Sequence, residues 1–364
     1  MNALKQVDVL VIGLGPAGSA AAAAAASAGL SVLTIERKQQ IGVPVQCAEF
    51  IPLPLGAYAQ TGGVLQQRIV GMQSRLPSGA SLHSALPGLM IDRAAFDQAL
   101  AHRAVAQGAE LWCESRLLNI DAQQQRAVVQ TSTAAREITY RLLIAADGPH
   151  STVAARLNLP PLVTVYTRQY TVPLLRPLTD TEVFLSGDFP GGYAWLFPKG
   201  AYANLGAGAD KRFTHDLKQP LDALHHRLVA QGLVGTDIIT LTGGLIPVGG
   251  LRRSLAVGNI LFVGDAAGLT HPITGAGIAA AVASGELAGE SAARYLQDQR
   301  VEALMDFENE IRERYAPSLQ RALGHRRRLD TFPAEMSDAL HRQSWIAFPE
   351  YFDAANSTST VEQP

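Results

Sequence analysis

The chain has 364 residues, and its 30 lysines and arginines against 32 aspartates and glutamates leave a formal net charge of −2. That length implies about two closely joined domains; the near-neutral balance lacks the basic footprint that nucleic acid requires, and 47% apolar residues exclude a disordered chain. Two cysteines, Cys47 and Cys113, cannot build a disulfide framework or a four-thiolate zinc site, so no metal centre and a reducing, cytoplasmic setting are expected.

From Val9 to Ile35 no residue is charged, which imitates a membrane span. Gly13, Gly15, Gly18 and Gly29 instead divide the run into strand, turn, helix and second strand, and no transmembrane segment or signal peptide is expected. Val7 to Ile12 suits a strand buried on both faces. It runs into Gly13-Leu14-Gly15-Pro16-Ala17-Gly18. Gly13 permits the tight turn, Gly15 lets the backbone approach a pyrophosphate, and Gly18 allows close helix–strand packing. Pro16 stands near the helix start, where its missing N–H costs nothing, and phosphate oxygens would meet the free N–H groups of that helix end. Glu36, 18 residues beyond Gly18, can accept hydrogen bonds from ribose hydroxyls, and Arg37 beside it joins the expected cofactor-binding set. Strand, glycines, helix, strand and acid in this order predict a dinucleotide site.

Pro44-Val45-Gln46-Cys47-Ala48-Glu49 follows after a short loop. Cys47 is a soft group able to neighbour a cofactor or donate a proton, or else inert packing; Glu49 is the nearest acid or base. Arg93 opens a helix, either as a cofactor contact or as a surface residue. Leu142 to Gly148 is a second apolar strand ending in Asp147 and Gly148, with helix-like sequence from Val153 to Leu157. Thr181–Leu185, Tyr193–Phe197 and Tyr202–Ala207 read as an antiparallel sheet, with a helix from Leu217 to Val229 beside it. Tyr193, Trp195 and Phe197 share one strand face, either an aromatic wall for a ligand or ordinary core. Lys199 and Gly200 read as a hairpin turn.

Ile260 to Gly268 repeats the plan of buried strand, Gly264, Asp265 and small residues. His271 and Pro272 come next, then Gly275, Ala276, Gly277 and Ile278 begin a long alanine-rich helix whose N-terminus can face a flavin pyrimidine. Three separated stretches converging on one extended ligand suit FAD better than NAD. The tail from Val301 is helical. His325-Arg326-Arg327-Arg328 reads as a solvated face or a docking site for an acidic partner. Trp345, Phe348, Tyr351 and Phe352 are expected to pack back on the body and cap the pocket, and Asn356 to Pro364 to fray.

These motifs resemble the FAD-containing p-hydroxybenzoate hydroxylase fold group: Gly13 to Glu36 is similar to its first fingerprint, Asp147-Gly148 to its second and Gly264-Asp265 to its third. The resemblance implies that Asp147 and Gly148 lie near the pyrophosphate, that Asp265 binds ribityl or pyrophosphate groups, and that Arg93 helps hold FAD. Pro44–Glu49 and Tyr193–Pro198 resemble the P-V-x-C-x-E and Y-x-W-x-F-P patterns of the geranylgeranyl reductase family, which sets Cys47 beside the isoalloxazine. Two departures stand out: Phe50 where that family usually has glycine, and His271 where asparagine is common.

The expectation is an α/β chain. A Rossmann-like FAD-binding part comprises residues 1–75, 90–160 and 250–300, an inserted antiparallel-sheet substrate part 76–89 and 161–249, and a helical tail 301–364. Cys47, Glu49 and His271 are the candidate catalytic residues, and Phe50, Tyr193, Trp195 and Phe197 the candidate substrate pocket. The bulk of Phe50 tilts the expected reaction toward oxygenation of an aromatic substrate, for example a tryptophan on a partner protein during quinone-cofactor maturation. Reduction of carbon–carbon double bonds in a polyprenyl lipid is the alternative, and a non-catalytic redox-sensing flavoprotein a further one. NAD(P)H or another external reductant would bind transiently, since no second dinucleotide fingerprint is present.

Overall fold

The structure, a computed structural model, describes residues 5–331 and 337–353. Its first sheet has the central order Ala256–Val257, Ile260–Phe262, Ala135–Ala145, Lys5–Ile12, Val32–Ile35, Glu110–Trp112. All of these neighbours are parallel except the short edge hairpin 256–262. Ile12 pairs with Ile35 and Ala145, and Ala145 with Phe262. Four strands therefore end in one row, and Gly13, Glu36, Asp147 and Asp265 emerge along the carboxyl edge where α/β sheets take their ligands.

The glycines and alanines explain the layer above this sheet. Helix Pro16–Ser27 is buried along almost its whole length and packs beneath helix Ile278–Leu296. A Cβ on Gly285 would come 2.1 Å from the Ala17 carbonyl oxygen, and one on Gly289 2.5 Å from that of Ala21. The helices touch backbone to backbone, which larger residues would prevent.

The second sheet runs Thr240–Thr242, Thr164–Pro173, Tyr202–Ala209, Tyr193–Lys199, Asp180–Phe184, Gly71–Arg75, Ser81–Ser84. It is antiparallel except where Asp180–Phe184 pairs in parallel with Gly71–Arg75, so this sheet draws on residues before position 76. Helix Lys218–Ala230 covers one face through Leu221, Leu224 and Leu228. Trp195 and Phe197 turn to the opposite face and join a separate apolar cluster. A small third sheet pairs Phe50–Pro52 and Leu65–Ile69 with Gly88–Ile91. There the Phe50 ring fills the space over Gly88, where a Cβ would lie 2.2 Å from it.

The tail is helical over Ala303–Thr331 and Asp338–Ser344. Trp345, Phe348 and Tyr351 are buried against the body, whereas Phe352 is exposed. The basic cluster is split: His325 and Arg326 are only 1% and 6% exposed because the helix turns that side inward, whereas Arg327 is exposed and Arg328 half-buried. The expectation for Asn356 to Pro364 lies outside the described residues. Among the described residues no helix is long and apolar enough to cross a membrane.

Candidate cofactor and substrate site

At the nucleotide end, missing side chains make the cradle. A Cβ on Gly18 would lie 1.9 Å from the Gly13 carbonyl oxygen, and one on Gly13 2.5 Å from that of Ala146. A Cβ on Gly15 would meet nothing within 4 Å, so the turn leaves open space at the start of helix Pro16–Ser27. That helix and helix Ile278–Leu296 both begin without a side-chain cap, which leaves backbone N–H groups available to an anion. Glu36 accepts from the N–H groups of Leu14 and Lys38, both at 3.0 Å, while Arg37 is exposed beside it.

The second and third acids are half-buried. Asp147 Oδ2 accepts from the Val153 N–H at 3.1 Å, but Oδ1 is buried without a hydrogen-bond partner. Burial pushes this carboxyl above the usual aspartate value, against the Ser151 and Val153 hydrogen bonds. Asp265 is likewise pushed up by burial, against a 2.6 Å hydrogen bond from Thr270 and the charge of Arg93. A Cβ on Gly277 would lie 3.2 Å from Asp265 Oδ1. An unsatisfied buried acceptor, an open glycine turn and uncapped helix starts are what hydroxyls and phosphates of a dinucleotide would complete, so the residues present fit that group.

The Cys47 loop is held from below by side chains that sequence reasoning passed over. Gln169 Nε2 donates to the Cys47 carbonyl at 2.9 Å, and its Oε1 accepts from Trp195 Nε1 at 3.0 Å. Asn204 donates to the Ala48 carbonyl and to Glu49 Oε2. Lys199 Nζ reaches both Glu49 oxygens at 2.8 and 2.9 Å, and the Arg93 N–H donates to Oε1 at 2.8 Å. Glu49 is thus fully engaged, and its φ of 70° is a left-handed conformation that this network sustains. The Glu49 N–H points at Cys47 Sγ, 3.2 Å away. Burial would pull the Arg93 guanidinium down, but Asp97 and Cys47 beside it outweigh that and hold it above the usual value.

His271 lies in the turn before the long helix. Its Nδ1 accepts from the N–H groups of Ile273 and Thr274 at 3.4 and 3.3 Å, and Nε2 lies 3.4 Å from the Tyr351 hydroxyl. Burial, helped by His325, lowers its pKa to about 4, so the ring is neutral. The turn around it contains Pro272, Gly275 and Ala276, with the Ala276 carbonyl accepting from the His271 N–H. Tyr193 donates from its hydroxyl to the Thr274 carbonyl at 2.5 Å, and its ring meets Trp195 and Trp345 edge-on at 5.7 and 4.8 Å. Trp345 in turn donates to Ser74 Oγ. Phe197 meets Phe50 at 6.1 Å. The aromatic face thus forms two ring groups, Tyr193 with Trp195 and Trp345, and Phe197 with Phe50, packed in one apolar cluster to which the tail contributes.

Lys199 and Asn204 carried no functional signal beyond lying in or near the aromatic motif, and Gln169 carried none. Two cavities, of about 530 and 480 Å³, lie elsewhere: one between the alanine helix and its helical neighbours, the other beside helix Lys218–Ala230. Neither is lined by a predicted site residue.

Comparison with known proteins fits this geometry. The profile of a family described as FAD dependent oxidoreductase matches residues 8–154, and that of the lycopene cyclase proteins residues 213–335. The chain is 30% identical over 354 residues to the digeranylgeranylglycerophospholipid reductase of Methanococcus aeolicus, covering 92% of this chain and 89% of that protein. It is 34% identical over 323 residues to digeranylgeranylglycerophospholipid reductase 1 of Methanopyrus kandleri, covering 82% and 83%. A solved structure of a geranylgeranyl bacteriochlorophyll reductase-like protein from Thermoplasma acidophilum superposes with a TM-score of 0.86 at 27% identity, covering 98% of this chain and 95% of that one.

Proposed function

Since the chain belongs to the geranylgeranyl reductase-like family of FAD-dependent oxidoreductases, we propose that it saturates carbon–carbon double bonds in a polyprenyl lipid. The observation that carries this reading is similarity along 92% of the chain to a protein named for reducing digeranylgeranylglycerophospholipid. Oxygenation of an aromatic substrate, and of a partner-protein tryptophan in particular, gives way to it. The relatives are reductases, the bulk of Phe50 is absorbed over Gly88, and the basic segment that suggested docking turns His325 and Arg326 inward. Enzyme relatives also displace the redox-sensor reading.

On this reading Gly13, Gly15, Pro16, Ala17, Gly18, Glu36 and Arg37 hold the adenosine and diphosphate end of FAD. Arg93, Asp147, Gly148, Gly264 and Asp265 hold its middle, and Pro272, Gly275, Ala276, Gly277 and Ile278 face the ring. When bound, FAD supplies the two-electron redox chemistry; the electrons come from NAD(P)H or another external reductant. Glu49 is assigned a positioning role, because Lys199, Asn204 and the Arg93 N–H occupy its oxygens. Cys47 Sγ remains the group on that loop able to hold or pass a proton. His271 shapes its turn as a neutral acceptor. Tyr193, Trp195 and Phe197 exclude water and line the apolar substrate.

The test is anaerobic turnover of FAD-loaded protein, chemically reduced and mixed with digeranylgeranylglycerophospholipid in detergent micelles. Mass spectrometry should show two hydrogens gained per saturated bond. Unchanged lipid, or oxygen added to an aromatic substrate once air is admitted, would overturn the proposal.

A further inference from the structure

Arg326 sits on helix Ala303–Thr331 yet points its guanidinium into the protein. Nη1 donates to the Gly191 carbonyl at 3.0 Å and the Pro272 carbonyl at 3.2 Å, and Nη2 to Asp210 Oδ2 at 3.1 Å. These acceptors belong to three segments. Gly191 is in the turn that leads into the aromatic strand Tyr193–Lys199, Asp210 follows strand Tyr202–Ala209, and Pro272 opens the turn that ends at Gly277.

The surroundings are shaped to this fork. Gly191 has φ 69°, and a Cβ there would lie 2.8 Å from the Asp210 Cβ. The Asp210 N–H closes the same turn on the Pro190 carbonyl at 3.0 Å. A neighbouring contact spans the same gap, the Tyr193 hydroxyl to the Thr274 carbonyl, and the Tyr351 hydroxyl ties the tail to His271 of the same turn. Removing one member of a buried ion pair costs stability, but Asp210 keeps a second cation in Arg212, so a loss of stability alone does not define what Arg326 does. What a planar fork with fixed donor directions adds is geometry.

We propose that Arg326 is a positioning residue of the reaction, locking the 271–277 turn in register with the aromatic strand. It thereby sets the separation between the flavin-facing segment and the wall that lines the substrate. This rests on the assignment of those two segments made above. Lysine keeps the charge but has one nitrogen and no fork; methionine keeps the volume and has neither.

The experiment compares FAD-loaded wild type, Arg326→Lys and Arg326→Met without lipid and with digeranylgeranylglycerophospholipid. Without lipid, the visible circular dichroism of bound flavin should change in both variants, and hydrogen exchange at the amides of residues 273–277 should speed up. With lipid, kcat should fall by about 10-fold or more in Arg326→Met, with KM moving less than about 3-fold and Arg326→Lys intermediate. If Arg326→Met does not retain FAD, Arg326→Lys carries the comparison alone. A lower melting temperature accompanied by wild-type dichroism, exchange and kcat would make Arg326 merely structural and end the proposal. Wild type that saturates no lipid would instead sink the double-bond reading, and dichroism and exchange would still decide the role of Arg326.

Discussion

At the nucleotide end the backbone makes close approaches because side chains are absent, whereas the Cys47–Glu49 loop and the turns at Gly191 and Pro272 are held by polar and charged side chains reaching in from distant segments. Gly13, Gly18, Gly285 and Gly289 each stand where a single added carbon would collide with a backbone oxygen. Glu49, Lys199, Asn204, Asp210 and Arg326 each stand where a removed partner would leave a buried or half-buried polar group short of a bond. At those four glycines the first region tolerates no added atom; the second is sensitive to a lost partner. Its members also lie far apart in the chain, 150 residues between Glu49 and Lys199 and 116 between Asp210 and Arg326.

The sharpest contrast lies within the glycine turn. Gly18→Val should give no soluble folded protein, because its Cβ would lie 1.9 Å from the Gly13 oxygen and 3.1 Å from the Ala146 Cβ. Gly15→Ala meets no protein atom within 4 Å, so the apoprotein should melt within about 2 °C of wild type while FAD affinity falls by about 10-fold. Thermal scans and flavin titration read the two outcomes. Equal stability losses would mean that Gly15 serves packing and not a ligand.

In the second region Lys199→Met should cost about 3–5 kcal/mol in denaturant unfolding, since the Glu49 carboxylate stays buried without its cation. Pairing it with Glu49→Gln should recover more than half of the loss. A double variant no better than the single one would show that charge pairing is not what holds the loop.

A smaller effect follows pH. Burial, with a contribution from His325, lowers His271 to about 4, and burial lowers His341 to about 4 against the pull of Asp338. Between about 4 and the ordinary value of 6.5 the unfolded chain protonates these rings while the folded protein does not. Stability should therefore be full above pH 6.5 and decline toward pH 4 by roughly 1–3 kcal/mol per histidine. His341→Leu should flatten part of that slope; an unchanged slope would remove His341 from the account. Smallest is Trp345→Phe, which keeps the ring against Tyr193 and loses the hydrogen bond to Ser74. It should cost about 1 kcal/mol in unfolding, with FAD content unchanged.

The order strand, glycine turn, alanine helix, strand and Glu36 is legible in the sequence because local chain geometry dictates it: a tight turn and a close helix each need glycine wherever they occur. The same logic marks Asp147 and Asp265 as strand-end acids, and alternation puts Tyr193, Trp195 and Phe197 on one face. Periodicity says which face a residue takes but not what lies opposite. Lys199 therefore reads as a turn residue until the fold sets it against Glu49, and Gln169 carries no motif at all. Arg326 reads as one charge in a solvated run until helix Ala303–Thr331 docks and its guanidinium finds Gly191, Asp210 and Pro272. Close backbone approach is written in the residue that makes it, whereas pairing of buried charges is a property of two distant residues, and only the tertiary structure brings them together.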